Sequence, residues 1–350
     1  MGRLDVLAVG NALVDVLSLE SDEFVVEHGL ERGAMTLIDA ERAERLYAAM
    51  GPGTEISGGS AANTAAGLAS LGARVGFVGR VRDDQLGEVF AHDIHAIGVE
   101  FTTAPAADGP PTGRCLIIVT PDAQRTLNTF LGAAADLHPD DIDRDVVSAS
   151  AVTFLEGYLF DQDDAKEAFR HAGRLAHEAG NRVALTLSDP FCVERHRADF
   201  RDLVEHHVDV LFANEQEICS LYEVDDFDTA AGHVRGHCEI AALTRSEQGS
   251  VIVADGDSQV VGAAPVDQVV DTTGAGDQYA AGFLYGLTHG HDLATCGRLG
   301  SIAAAEVISH LGARPEVSLA DLAASQLGDG QLGGGQVGGG TPLGEAASQA

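Results

Sequence analysis

The sequence predicts an α/β protein, a doubly wound, mostly parallel sheet carrying a small β-sheet lid, and three observations lead there. Short apolar segments of strand character alternate with helix-like runs over most of the chain, the pattern of parallel strands with crossover helices. Two stretches, at about residues 13–38 and 101–130, hold strand-like pieces without a proper helix between them, as an inserted lid would. The chain has 350 residues, 45% of them hydrophobic, enough to bury a large core. Ligands of such sheets bind beyond the carboxyl ends of the strands.

The first strand is expected in VLAVGN (6–11), where the apolar run opens the chain. After the first lid segment, Gly58-Gly59-Ser60-Ala61-Ala62-Asn63 opens a small-residue helix. Small residues permit close packing of helix on sheet, but adjacent glycines also expose main-chain N–H groups, and Asn63 offers a donor and an acceptor to a diol. VGFVGRV (75–81) is the next strand, and the second lid segment carries Arg125, for which a solvated surface cation is one of two readings.

Strands are then expected at 152–160, 182–188, 208–214, 240–246 and 250–256, with helices over 164–179 and 229–237. Tyr158 and Phe191 close two of these strands, and either would serve as ordinary core. Together they supply the flat faces on which a purine stacks. Asn214 and Glu217 after the strand at 208–214 have the spacing of a helix capping box. His233 and His237 stand four apart, but a glycine between them weakens the helix and the pattern holds no carboxylate, so a polar helix end is expected and not a zinc site.

Most of the chemistry is concentrated in Asp271-Thr272-Thr273-Gly274-Ala275-Gly276-Asp277, between apolar Val269-Val270, expected as the end of a strand, and a helical run over 278–287. Glycines at a helix start admit a phosphate to free N–H groups at the positive end of the dipole. Asp277 at the mouth of that anion hole can take the proton of a hydroxyl nucleophile, which suits phosphoryl transfer to an alcohol. Gly-x-Gly before a helix also serves simply to tuck helix against sheet.

The net charge of −33 argues against a nucleic-acid or acidic-membrane partner, which would need a basic footprint. The single lysine, Lys166, lies in a helical segment with no glycine loop before it, excluding a phosphate loop of the Gly-Lys-Ser/Thr type. Five scattered cysteines form no paired spacing, no apolar run approaches bilayer length, and the N-terminus lacks a signal-peptide pattern, so a cytoplasmic protein is expected. Residues 1–322 are expected to form one domain with its lid, and the Gly-rich tail 323–350 to be disordered. Oligomeric state, monomer or dimer, stays open.

DTTGAGD (271–277), GGSAAN (58–63), GNALVD (10–15) and NEQE (214–217) together resemble the ribokinase-like, or PfkB, family of carbohydrate and nucleoside kinases, over about residues 5–314. The resemblance implies a ribokinase-like fold using ATP and Mg²⁺. It assigns Asp277 as catalytic base and Gly274, Ala275 and Gly276 as the anion hole. Asn11, Asp15, Gly58, Gly59 and Asn63 become substrate ligands, with Asp15 on the sugar hydroxyls. Asn214 and Glu217 organise Mg²⁺ through water, Thr244 and Gly249 line the nucleotide site, and Arg125 comes over the phosphates. Ser246 departs from the glycine that many members carry there. LEGYLF (155–160), LSDPF (187–191), LFANEQE and the lid stretch TGRC to NTFLGAA resemble the adenosine kinase branch, in which aromatics at the places of Tyr158 and Phe191 clamp adenine. The expected activity is phosphorylation of a primary hydroxyl, adenosine to AMP. The alternatives are a ribose- or hexose-type sugar kinase and an inactive binding relative.

Overall fold

The computed structural model describes residues 2–327 except 123 and 255, and they contain two sheets. In chain order the strands are β1 (Leu4–Val9), β2 (Leu13–Leu19), β3 (Met35–Leu37), β4 (Gly53–Gly58), β5 (Val75–Val78), β6 (Glu100–Phe101) and β7 (Gly113–Val119). There follow β8 (Arg125–Phe130), β9 (Ser150–Glu156), β10 (Arg182–Thr186), β11 (Val210–Asn214), β12 (Ile240–Thr244), β13 (Ser250–Ala254) and β14 (Asp257–Val261). The larger sheet has the order β6-β5-β1-β9-β10-β11-β12-β13-β14. It is parallel from β6 to β12 and antiparallel at β13 and β14, so the mostly parallel, doubly wound expectation holds.

Its central strands are near-continuous apolar runs because helices cover both faces. On one face Phe154 and Phe212 pack with Phe283 of helix Ala275–Thr288, Phe212 meeting Phe283 edge-on at 5.4 Å. On the other, Leu185 and Leu211 pack with Phe169 and Phe200 of helices Asp163–Glu178 and Pro190–His206, and Phe160 stacks on Phe200 at 4.4 Å. The carboxyl ends of β1, β9, β10, β11 and β12 share one edge, and the site lies beyond it.

The smaller sheet has the order β3-β8-β7-β2-β4 and stands where the lid is expected. Its membership differs from expectation in three ways. Strand β4 lies outside both expected segments, Phe101 belongs to β6 of the large sheet, and a short helix, Asp22–Glu27, interrupts the first segment. Elsewhere the expected strand at 152–160 stops at Glu156, since residues 157–161 turn into a 3₁₀ helix. Val269 and Val270 lie in no strand, and Val269 is 57% exposed; what precedes the glycine turn is a loop.

The domain boundary at 322 is also corrected. Helix Leu319–Leu327 buries Leu319 and Ala323 against Leu71, Leu299 and Ala303, so the fold continues through the start of the expected tail. Apolar spacing at 319, 322, 323 and 327 carries that helix in the sequence. The rest of the tail, 328–350, lies outside the described residues. Among those described, no helix is long and apolar enough to cross a membrane.

Candidate active site

The glycine turn holds its shape for reasons legible atom by atom. Gly274 caps helix Ala275–Thr288 in the left-handed region (φ 78°, ψ 0°), and a Cβ there would lie 2.7 Å from Ala313 Cα. Gly276 has open space where its Cβ would be, so no protein atom demands that glycine. Asp271 braces the turn, its Oδ1 accepting from Thr273 N at 3.0 Å and Thr273 Oγ1 at 2.7 Å. The Ala275 amide donates within the turn to Thr272 O at 3.2 Å, so of the expected anion hole this amide is already engaged.

Asp277, in the first turn of that helix, is met by residues of helix Ser60–Ser70. Ser60 Oγ donates to Asp277 Oδ1 at 2.6 Å and Asn63 Nδ2 to Oδ2 at 3.3 Å. Burial pushes the Asp277 carboxyl up to about 6 against the pull of those two donors, a poise that suits a general base near neutral pH.

Helix Ser60–Ser70 has no side-chain cap of its own, because its N-cap is Gly59 at φ 103°. Glu156, at the end of β9, takes that place: its Oε2 accepts from Ala61 N at 2.7 Å and its Oε1 from Asn11 Nδ2 at 2.6 Å. Glu156 is 1% exposed, and burial raises its pKa to about 7. Asn11, expected among the substrate ligands, is 2% exposed and spends its donor on Glu156. In the unfolded chain Glu156 titrates near 4.5. A carboxyl raised in the fold contributes stability that is fully present below the unfolded value and is lost as pH rises through about 7. Glu156→Gln, neutral throughout, is therefore expected to flatten the fall of Tm between about pH 5 and pH 8. Thermal unfolding across that window checks it, and identical slopes would contradict the burial.

Asp15 on β2 extends its carboxyl across Gly58 on β4, where a Cβ would stand 2.3 Å from Asp15 Cγ. Burial raises Asp15 to about 6; Arg314 and Arg125 hold it down, and Asp277 pushes it up, so lid and large sheet share one electrostatic cleft. Gly58→Ala should displace that carboxyl and raise the acceptor KM by about tenfold or more, with a smaller effect on kcat. Steady-state kinetics at fixed ATP gives the split, and an unchanged KM would remove Asp15 from the acceptor site.

Arg125 is no solvated surface cation. It is buried on β8, and its Nη1 lies 3.0 Å from Asp271 Oδ2, joining the lid to the signature loop. A second arginine, absent from the sequence expectations, also enters the cleft. Arg314 pairs with Asp93 at 3.0 Å and donates to Ser57 Oγ at 2.7 Å and to Asn63 Oδ1 at 3.4 Å.

At the end of β11 the capping box is formed. Asn214 Oδ1 accepts from Glu217 N at 2.9 Å, while Glu217 accepts from Asn214 N at 2.9 Å and from Asn214 Nδ2 at 2.7 Å. Glu217 is pushed up to about 7 by burial, with Asp189 and Asp277 adding to the rise. Tyr158 is raised by burial and by the charges of Asp189, Asp277, Glu217 and Glu156. This accumulation of negative charge on oxygen donors fits Mg²⁺. With both Glu217 oxygens bonded to Asn214, and no cluster of three ligand side chains among the described residues, the fit is to a hydrated ion.

Thr244 ends β12 beside Asn214. Gly249 (φ 84°) has a structural reason to be glycine, since a Cβ would stand 2.1 Å from Val261 O. Ser246 adopts φ 49°, so the serine takes up the left-handed conformation that glycine would. Tyr158 and Phe191 do not close strands. Tyr158 lies in the 3₁₀ turn after β9, its hydroxyl donating to Ser188 O at 3.1 Å, and Phe191 lies in the first turn of helix Pro190–His206, 73% exposed. The histidine pair does not share a helix: the helix ends at Val234, and His233 stacks on Tyr222. Lys166 lies in helix Asp163–Glu178, paired with Asp199.

Sequence reasoning missed Ser60, Glu156, Asp189 and Arg314. Ser60, Glu156 and Asp189 lie within GGSAAN, LEGYLF and LSDPF, but nothing local distinguishes their roles.

Comparison with known proteins agrees with this geometry. The profile of the pfkB family carbohydrate kinases matches residues 35–319. The chain is 53% identical to the adenosine kinase from Sinorhizobium meliloti, matching its crystal structure with a TM-score of 0.86 over 93% of this chain and 99% of that one. It is 50% identical to a probable sugar kinase from Rhizobium etli CFN 42, with a TM-score of 0.86 over 94% and 99%. It is 29% identical to the adenosine kinase of Saccharomyces cerevisiae over 87% of this chain and 95% of that protein. With a carboxylate at a glycine-capped helix start, a second across the cleft on a lid sheet, and the family profile over most of its length, the chain belongs to the pfkB family of carbohydrate kinases.

Proposed function

We propose that this phosphotransferase is an adenosine kinase, which transfers the γ-phosphoryl group of ATP to the 5′-hydroxyl of adenosine. The observation that carries phosphoryl transfer is the Asp277 carboxylate, held by Ser60 and Asn63 at a glycine-capped helix N-terminus. Adenosine as acceptor is supported by the similarity to the S. meliloti adenosine kinase and by an exposed aromatic, Phe191, two residues after Asp189, whose charge acts on Tyr158 and Glu217.

When bound, Mg²⁺ and ATP would supply the phosphoryl group and the neutralisation of its charge, and Asn214, Glu217 and Asp189 would hold the hydrated Mg²⁺. Asp15 and Asn63 orient the ribose hydroxyls. Asp277 takes the proton of the 5′-hydroxyl as the oxygen attacks in line, and the amides of Gly274 and Gly276 face the charge on the phosphoryl oxygens. The smaller sheet acts as lid, with Arg125 bridging to the signature loop and excluding water as the cleft closes. Thr244 and Gly249 line the nucleotide side.

Five cysteines scattered without paired spacing suit a reducing compartment, and we place the protein in the cytoplasm. A sugar acceptor is the second reading, favoured by similarity to the R. etli probable sugar kinase. The intact base and glycine turn speak against an inactive binding protein. ADP release measured against a panel of nucleosides and sugars tests this: preference for adenosine supports it, preference for a free sugar replaces it with the second reading, and no turnover favours a binding protein.

A further inference from the structure

Arg314 lies outside every motif, yet the structure spends several bonds on placing it. The loop that carries it is pinned on either side: Gly312 N donates to Asp271 Oδ2 at 3.0 Å, Gln278 Nε2 to Ala313 O at 3.0 Å, and Glu316 N to Glu306 Oε1 at 2.9 Å. The Arg314 side chain is only 14% exposed, and it reaches three partners on different elements. Two belong to the lid side, Ser57 on β4 and Asp93 on helix Gln85–Ala96. The third is Asn63 Oδ1, at 3.4 Å from Nε.

The amide of Asn63 is thereby bracketed. A guanidinium can only donate and an ionised carboxylate can only accept. Between Arg314 and Asp277 a single orientation satisfies both ends: oxygen towards Arg314, nitrogen towards Asp277 at 3.3 Å. A flipped amide would set oxygen against carboxylate and NH₂ against guanidinium, turning two attractive contacts into two repulsive ones.

We propose that Arg314 is a positioning residue for phosphoryl transfer, which fixes the Asn63 amide so that its nitrogen remains the donor to the Asp277 base. The inference rests on the assignment of Asp277 as base, and it adds a function to a residue that would otherwise only tie β4 and helix Gln85–Ala96 to the cleft. Around Asp277 stand its donors Ser60 and Asn63, and the acidic groups Asp15, Glu156, Glu217 and Tyr158 that share its field. The Asn63 donor helps hold the Asp277 pKa down, so its loss moves the titration upward.

The test is a double-mutant cycle of Arg314→Met and Asn63→Ala on the full chain, with two readouts. Carbon-13 carboxyl NMR, with Asp277 assigned by Asp277→Asn and Asp15 by Asp15→Asn, follows the base without any need for turnover. Steady-state kcat against pH follows it in catalysis, using the acceptor that the parent enzyme phosphorylates. Each single variant should raise the Asp277 midpoint and move the acid limb of kcat upward with it, with a loss in kcat of about tenfold. The double should be no worse than the poorer single, and Arg314→Lys should recover part of the loss. An unmoved Asp277 midpoint in Arg314→Met, or losses that multiply in the double, would overturn the proposal and leave Arg314 a tether of the lid. Where Arg314→Met does not fold, Arg314→Gln takes its place with the same two outcomes. Failure of the parent to phosphorylate adenosine overturns the substrate reading alone, since the NMR cycle decides Arg314 by itself.

Discussion

Asp277→Asn is expected to lower kcat by about 10² or more while nucleotide affinity stays close to that of the parent. The substitution preserves size and polarity. Its new amide still finds partners, with the oxygen turned to Asn63 Nδ2 and the NH₂ to Ser60 Oγ, which can accept as well as donate. What disappears is the proton acceptor. In the parent the same group sets the acid limb: with its pKa raised to about 6, kcat/KM falls as pH drops through that value and the base becomes protonated. Steady-state kinetics together with a nucleotide titration checks both halves. A variant with near-parent kcat would remove Asp277 from the role of base.

Phe191→Ala is expected to weaken adenosine by roughly tenfold or more, from the loss of about 1 to 3 kcal/mol of base–aromatic stacking. Because Phe191 is 73% exposed, truncating it should leave the stability of the fold within about 0.5 kcal/mol of the parent, which separates a ligand contact from core packing. Turnover of a free sugar should be spared. Asp15→Ala gives the opposite pattern and should damage nucleoside and sugar alike, since the hydroxyls it meets are common to both. The comparison is steady-state kinetics of both variants on adenosine and ribose, with urea unfolding of each. Equal damage to both substrates by Phe191→Ala would make the sugar acceptor the leading reading.

The signature turn was legible because its requirements are local. Gly274 must reach a positive φ, the helix start leaves amides unpaired, and Asp277 follows three residues later on the same turn. The capping box of Asn214 and Glu217 was legible for the same reason, its spacing being the geometry of a single helical turn. Strand ends were less so. Apolar residues continue past Glu156 into Tyr158 and Phe160, but residues 157–161 leave the ladder as a 3₁₀ turn, which an apolar run cannot announce. For Arg125 the residues left two readings open, surface cation or lid arginine, because a polar lid segment reads as surface; its burial and its pairing with Asp271 in a loop of the other sheet decide against the first.

By itself, then, the sequence determined the alternating α/β class, the glycine turn at a helix start with Asp277 behind it, and the glycines and Asn63 of a second helix start, since each is written in residues close together in the chain. The tertiary structure alone decided which side chains surround that base. Ser60 reaches Asp277 across 217 positions, Glu156 caps the helix at Ala61 across 95, and Arg314 meets Asn63 across 251. Likewise β4 joins the lid by pairing with β2, a partnership its own residues do not specify. The physical reason is the same in each case. Periodicity and turn chemistry report what a segment needs from its own backbone, whereas hydrogen-bond partners, burial and the pKa shifts that follow from it depend on which distant segments the packed sheets bring to one edge.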